Sequence, residues 1–257
     1  MRIMQDVTKE QVISCLTGLG VRLRDGLLVH SAVQYLGRPQ GGVGMYLEAI
    51  QAVIGTEGTL VVPTFNFGFA KGEPYDPIET PSQGMGAFSE YVRRQPQALR
   101  TSHPMQSVAV LGRYAADLAE RDTLSAFDPG SAFERMLELD FKLLLLGADS
   151  RATSMFHYCE QRADVPYRYW KDFSGQVRTP DGWQTRTYRM FVRDLELNPQ
   201  LTLDPVVADL QARDEWISAP LNYGRVTVCR LADFVRAADR ILAEDPWSLV
   251  LNRPEDR

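Results

Sequence analysis

Five short apolar runs constrain this chain more than any other feature: Gly26-Leu27-Leu28-Val29-His30, Thr59-Leu60-Val61-Val62-Pro63, residues 107–111, Lys142-Leu143-Leu144-Leu145-Leu146 and Gly224–Arg230. Each is short for a core helix and reads as a strand, and the first two are continuously apolar enough to be buried on both faces of a sheet. Segments of helical spacing lie between them. Thr8 and Gln11 form a capping-box pattern ahead of Val12, Ile13, Leu16 and Leu19. A Gly-rich loop at 37–42 leads into a helix with Val43, Tyr46, Leu47, Ile50, Val53 and Ile54 that stops at Gly55. Further helices are expected near 87–95, 114–120, from Ser131 and around His157. The alternation predicts an α/β fold, a central mixed and mostly parallel sheet flanked by helices. Later, Pro180-Asp181-Gly182 between 174–179 and 183–193 predicts a β-hairpin, and 232–243 a closing amphipathic helix.

With 257 residues, 44% of them hydrophobic, the chain can bury one large core. No Gly/Ser-rich linker or internal repeat divides it, so residues 1–257 are expected to form a single domain. The stretch 64–86 keeps neither helical nor strand period, and a long irregular segment inside a compact domain points to function. A net charge of −5 argues against nucleic acid or an anionic membrane as partner and favours a cationic small molecule. No apolar run approaches the roughly 18 residues of a membrane span, and Met1-Arg2-Ile3-Met4-Gln5-Asp6 lacks the apolar core of a leader, so a cytoplasmic protein is expected. Cys15, Cys159 and Cys229 have neither disulfide nor zinc spacing and read as reduced thiols.

Only three imidazoles exist, so an imidazole base is His30, His103 or His157. The strongest constellation is Thr153-Ser154-Met155-Phe156-His157-Tyr158-Cys159-Glu160, where helical spacing sets Glu160 beside His157. A carboxylate there raises the imidazole's basicity and selects its tautomer, as a general base requires; a plain ion pair is the competing reading. Cys159, two residues on, is rotated about 200° away, which removes it as a partner nucleophile. Arg100-Thr101-Ser102-His103-Pro104 groups donors suited to a phosphate, or forms an ordinary polar loop. His30-Ser31-Ala32-Val33 ends a buried strand, where open α/β sheets carry their ligand loops. Gly41-Gly42-Val43-Gly44 lacks the spacing of a nucleotide-binding loop, and the histidines lack that of a metal site.

In order along the chain, Leu28-Val29-His30-Ser31, Gly41-Gly42, residues 58–65, Tyr75-Asp76-Pro77 with Thr80-Pro81-Ser82, Met85-Gly86, Arg100-Thr101-Ser102-His103-Pro104 with Ser107, residues 142–147, and His157-Tyr158-Cys159-Glu160 with Val165-Pro166-Tyr167 resemble the aminoglycoside 3-N-acetyltransferase family. The resemblance implies acyl transfer from acetyl-coenzyme A, or another acyl-coenzyme A, to an amine on a metal-free α/β domain. It implies His157 as general base, Glu160 as its companion, and an acid from the hairpin's second strand, with Asp194 nearest. It implies a coenzyme channel along Ser31, Ala32, Val33 and 100–107, hence Arg100, Ser102, His103 and Ser107, with Phe127 and Ser131 near its mouth. On the acceptor side stand Asp76, Glu79, Tyr167 and Arg168. Ser107 is the expected oxyanion donor, with loop amides near Val33 the second choice.

Two departures from the family pattern stand out. Ala32 stands where many members have a second serine, and Arg168, Lys171 and Arg189 stand where antibiotic-modifying members are often acidic. The expected reaction is direct ternary-complex transfer to the primary amine of an amino sugar or aminoglycoside. A non-sugar biosynthetic amine and a non-catalytic acyl-coenzyme A binder are the alternatives, and a homodimer is compatible with such a fold.

Overall fold

Side-chain alternation along the central strands builds the molecule in three layers. The computed structural model describes residues 5–254, so residues 1–4, part of the leader argument, lie outside the described residues. In chain order the elements are β1 (Asp6–Val7), α1 (Lys9–Gly18), β2 (Gly26–Ser31), β3 (Arg38–Pro39), α2 (Gly44–Ile54), β4 (Thr59–Pro63), α3 (Gly86–Arg93), β5 (Leu99–Arg100), β6 (Val108–Gly112), α4 (Ala115–Ala119), α5 (Ala132–Glu138), β7 (Lys142–Leu146), α6 (Met155–Arg162), β8 (Arg168–Thr179), β9 (Gly182–Arg193), α7 (Asp204–Ala212), β10 (Ile217–Leu221), β11 (Gly224–Arg230) and α8 (Leu231–Glu244). The capping box forms: the Thr8 hydroxyl accepts from the Gln11 amide at 3.2 Å and the Gln11 side chain from the Thr8 amide at 2.9 Å.

The main sheet runs β10-β11-β7-β2-β4-β6-β5. One set of side chains (Leu28, Val61, Val108, Leu143, Leu145) packs under α4 to α8. The alternate set (Leu27, Val29, Leu60, Val62, Leu144) packs under α1, α2 and α3. Both faces are covered, which is why these strands read as continuous apolar runs rather than alternating ones.

The sheet is mixed, as expected, but parallel pairing is confined to its centre, where β2 lies between β4 and β7. The outer pairings are antiparallel. For the two edge pairs the reason is local. β5 reverses through 101–107 into β6, and β10 through Asn222-Tyr223 into β11, and such short reversals deliver antiparallel neighbours where a parallel one needs a crossover. The edge strands β5 and β10 and the helix α7 are absent from the sequence reading. β5 is two residues long, and β10 is largely exposed and contains Pro220, a residue tolerated only on an edge. In α7 the signal was present: Pro205 in the first turn and Val206 with Leu210 buried four apart.

The hairpin turns at Pro180-Asp181 as predicted, but each strand is twelve residues long and β8 begins at Arg168 rather than 174. Val177, Tyr188 and Met190 of the hairpin pack on Phe69, Tyr75 and Met105. This small core fastens the irregular 64–86 segment between the hairpin and the sheet. Gly175 permits the close approach, since a Cβ there would meet the Phe69 ring at 2.8 Å. Among the described residues no helix is long and apolar enough to cross a membrane.

Candidate active site

The carboxyl ends of the parallel strands β2, β4 and β7 open toward one end of the sheet, where α/β folds carry their ligands. The loops after β2 and β7 meet there. Gly147 (φ +75°) makes the meeting possible, because a Cβ would come within 2.7 Å of the Ala32 carbonyl. α6 starts just beyond and turns Met155, Phe156, Cys159 and Glu160 into the core. His157 stays at the boundary, its side chain 35% exposed.

His157 Nδ1 lies 2.8 Å from Glu160 Oε2. Arg168, the first residue of β8, brings Nη2 to 2.8 Å from the same oxygen and 3.3 Å from Nδ1. Burial opposes ionisation of Glu160, but the hydrogen bond to His157 and the Arg168 charge outweigh it and hold the carboxyl below its usual range. An ionised carboxylate only accepts, so Nδ1 carries the hydrogen and Nε2 is the basic nitrogen. Tyr167 is wholly buried against Trp247, ring centroids 5.6 Å apart, and stands beside the carboxylate; burial and then the Glu160 charge raise its phenol pKa. Phe127 packs 5.9 Å from the imidazole.

Two cavities meet at His157. One, of about 350 Å³, lies over the strand ends and is lined by His30, Ser31, Phe65, Met85, Ser154 and His157. The other, of about 620 Å³, lies under the hairpin, with Phe65, Phe67, Gln106, Lys171, Phe173 and Met190 around His157 and Arg168. In the first, Ser31 Oγ is a buried hydroxyl without a hydrogen-bond partner. His30 Nε2 accepts from the Ser154 amide at 3.2 Å and so anchors the start of α6; burial, then the nearby His157, push its pKa down to about 3.

Several expected site residues make bonds within the fold. Ser107 Oγ is buried between the Thr64 carbonyl at 3.0 Å and the Thr64 hydroxyl at 3.1 Å, so it is not aimed at the reaction as an oxyanion donor. Arg100, expected on the coenzyme, binds Thr64, Ser107 and the Pro77 and Thr80 carbonyls. His103 accepts the Gln106 amide at Nδ1 and donates from Nε2 to the Arg189 carbonyl; burial pulls its pKa down to about 4. Ser102 bonds Asp122, and Ser131 caps α5. Ala32 and Val33 lead into a short 3-10 turn, the Ala32 amide bonded to the Leu146 carbonyl.

Asp194, expected to support His157, spends its Oδ1 on the Glu196 and Leu197 amides just past β9. Asp76 likewise accepts the Ile78 and Glu79 amides, and Glu79 lines a groove at the β5 edge, apart from both His157 cavities. Sequence reasoning missed Phe65, Phe67, Gln106 and Met190. Their only signal was membership of, or contact with, the irregular segment and the hairpin. Cys159 is fully buried, its thiol held protonated by burial, as its place on the helix implied. Among the described residues no group of three or more His, Cys, Asp or Glu side chains could hold a metal ion.

Residues 28–243 match the family model for aminoglycoside 3-N-acetyltransferase. An aminoglycoside N(3)-acetyltransferase III from Salmonella sp is 28% identical over 205 residues, 69% of this chain and 70% of that protein. A mutant of aminoglycoside acetyltransferase AAC(3)-IVa in complex with a gentamicin superposes with a TM-score of 0.81 at 26% identity, covering 100% of this chain and 95% of that one. AAC-IIIb in a binary complex with CoASH shares the fold, with a TM-score of 0.81 at 21% identity over 97% of this chain and 100% of that one.

Proposed function

Since this chain belongs to the aminoglycoside 3-N-acetyltransferase family, whose enzymes are coenzyme A-dependent acyltransferases, we propose that it transfers an acetyl or other acyl group from acyl-coenzyme A to the primary amine of an amino sugar or aminoglycoside, with His157 as general base. The observation that carries this reading is the position of His157 at the junction of two cavities, its Nδ1 engaged by a buried carboxylate. The thioester supplies the acyl carbon. The chain supplies position and proton transfer: Nε2 takes a proton from the amine as its nitrogen bonds to that carbon, and the imidazolium returns that proton to the departing sulfur as the C–S bond breaks. Glu160 holds the ring and stabilises the cation it becomes; Arg168 keeps Glu160 ionised.

Ser31 supports the donor side in the smaller cavity, where its unpaired hydroxyl fits a carbonyl or amide of the coenzyme arm. Two chambers sharing one base suit direct transfer between substrates held together. A covalent route through Cys159 is disfavoured by its burial and protonated thiol. His157→Ala is expected to lose about 10²- to 10⁴-fold in kcat, measured as thiol release from acetyl-coenzyme A with an accepting amine. Retention of most of the rate would remove His157 as base.

A further inference from the structure

Neither cavity at His157 has an aspartate or glutamate among its lining residues. Whichever one holds the acyl donor, the other has no carboxylate with which to meet a polycation. The hairpin explains the lack. Successive strand residues face opposite ways, so Tyr169, Lys171 and Phe173 line the cavity while Asp172 faces outward, bound to Arg189 at 2.6 Å. Glu160, beneath the cavity floor, is fully buried and already held by His157 and Arg168, and Asp194 beside Arg193 accepts the Glu196 and Leu197 amides. Lys171 and Arg193 line the same cavity and, among the described residues, form no ion pair with a carboxylate; Lys171 lies over the Phe173 ring at 5.3 Å. Besides Gln106, His157 and Arg168, the wall is largely apolar, with Phe65, Phe67, Met190 and Val192.

We propose that the acceptor is an amine on a body with an apolar face and a negatively charged group, a phosphate or carboxylate, which Lys171 and Arg193 receive in the cavity under the hairpin. The inference rests on the N-acyltransferase reading above and narrows its substrate class. An aminoglycoside, with several ammonium groups, would set like charges against these cations without a compensating acid, which selects against it. The apolar wall takes the ring face and the two cations the anion, leaving the amine toward His157 Nε2.

The test compares gentamicin, glucosamine and glucosamine 6-phosphate as acceptors with acetyl-coenzyme A, following thiol release. The phosphorylated amine is expected to exceed glucosamine by about tenfold or more in kcat/KM, with gentamicin below both. The Lys171→Glu/Arg193→Glu double variant, its fold checked by thermal melting, should abolish that preference and improve gentamicin as a substrate. Turnover that favours gentamicin in the unaltered protein overturns the charge assignment and leaves the acyltransferase reading intact. An increase in the acetyl-coenzyme A KM of the double variant, with acceptor KM values unmoved, reassigns the cations to the donor and also overturns it. Absence of thiol release with every amine overturns both readings.

Discussion

At the scale of the residue, the site turns on one oxygen. Glu160 Oε2 is shared by His157 and Arg168, so one carboxylate orients an imidazole and neutralises a guanidinium whose side chain is only 10% exposed. Glu160→Gln preserves the shape and removes the charge. The amide no longer dictates the hydrogen on Nδ1, and Arg168 is left without its anion in the interior. The expected result is a loss of about 10²-fold or more in kcat at saturating substrate, and of about 3 kcal/mol in urea unfolding. An unchanged kcat would mean that the carboxylate only supports the fold. The His157 and Glu160 pair was legible in the sequence because three residues along a helix is a local geometry. Asp194 was not, since whether a residue at a hairpin's end meets an imidazole or caps the next turn depends on where the strand stops.

At the scale of the element, the 64–86 segment and the hairpin decide what the site admits. Arg100 ties that segment to the sheet edge, donating to Thr64, Ser107 and the Pro77 and Thr80 carbonyls. Burying most of a guanidinium requires partners of this kind, and these five donations supply them. Arg100→Met is therefore expected to cost about 3 kcal/mol in stability and to speed proteolysis within 64–86, leaving the KM for acetyl-coenzyme A unchanged in the folded fraction. An increase in that KM without loss of stability would restore Arg100 to the coenzyme. The irregularity of 64–86 marked it as functional. Which of its side chains reach the cavities followed only from the hairpin folding over them, a contact between residues about a hundred positions apart.

At the scale of the whole molecule, two buried neutral imidazoles link stability to pH. His103 has a folded pKa of about 4 and His30 of about 3, against an unfolded value of about 6.5. As pH falls through the unfolded value the unfolded chain takes up protons that the folded one refuses. The stabilisation is thus complete above about pH 6.5 and is lost progressively toward pH 4, on the order of 3 kcal/mol for His103 alone. The melting temperature should fall over that interval, with a shallower slope in His103→Gln; parallel slopes would show that His103 carries no such linkage. The central strands, the helices between them, the hairpin turn and the His157 pair follow from period, caps and local spacing, which a chain carries in its order of residues. The antiparallel flanks of the sheet, the structural duties of Ser107, Arg100 and His103, and the acid-free cavities arose only in the tertiary structure. They depend on which distant groups burial forces together, and a buried polar side chain bonds to whichever partner the packing leaves beside it.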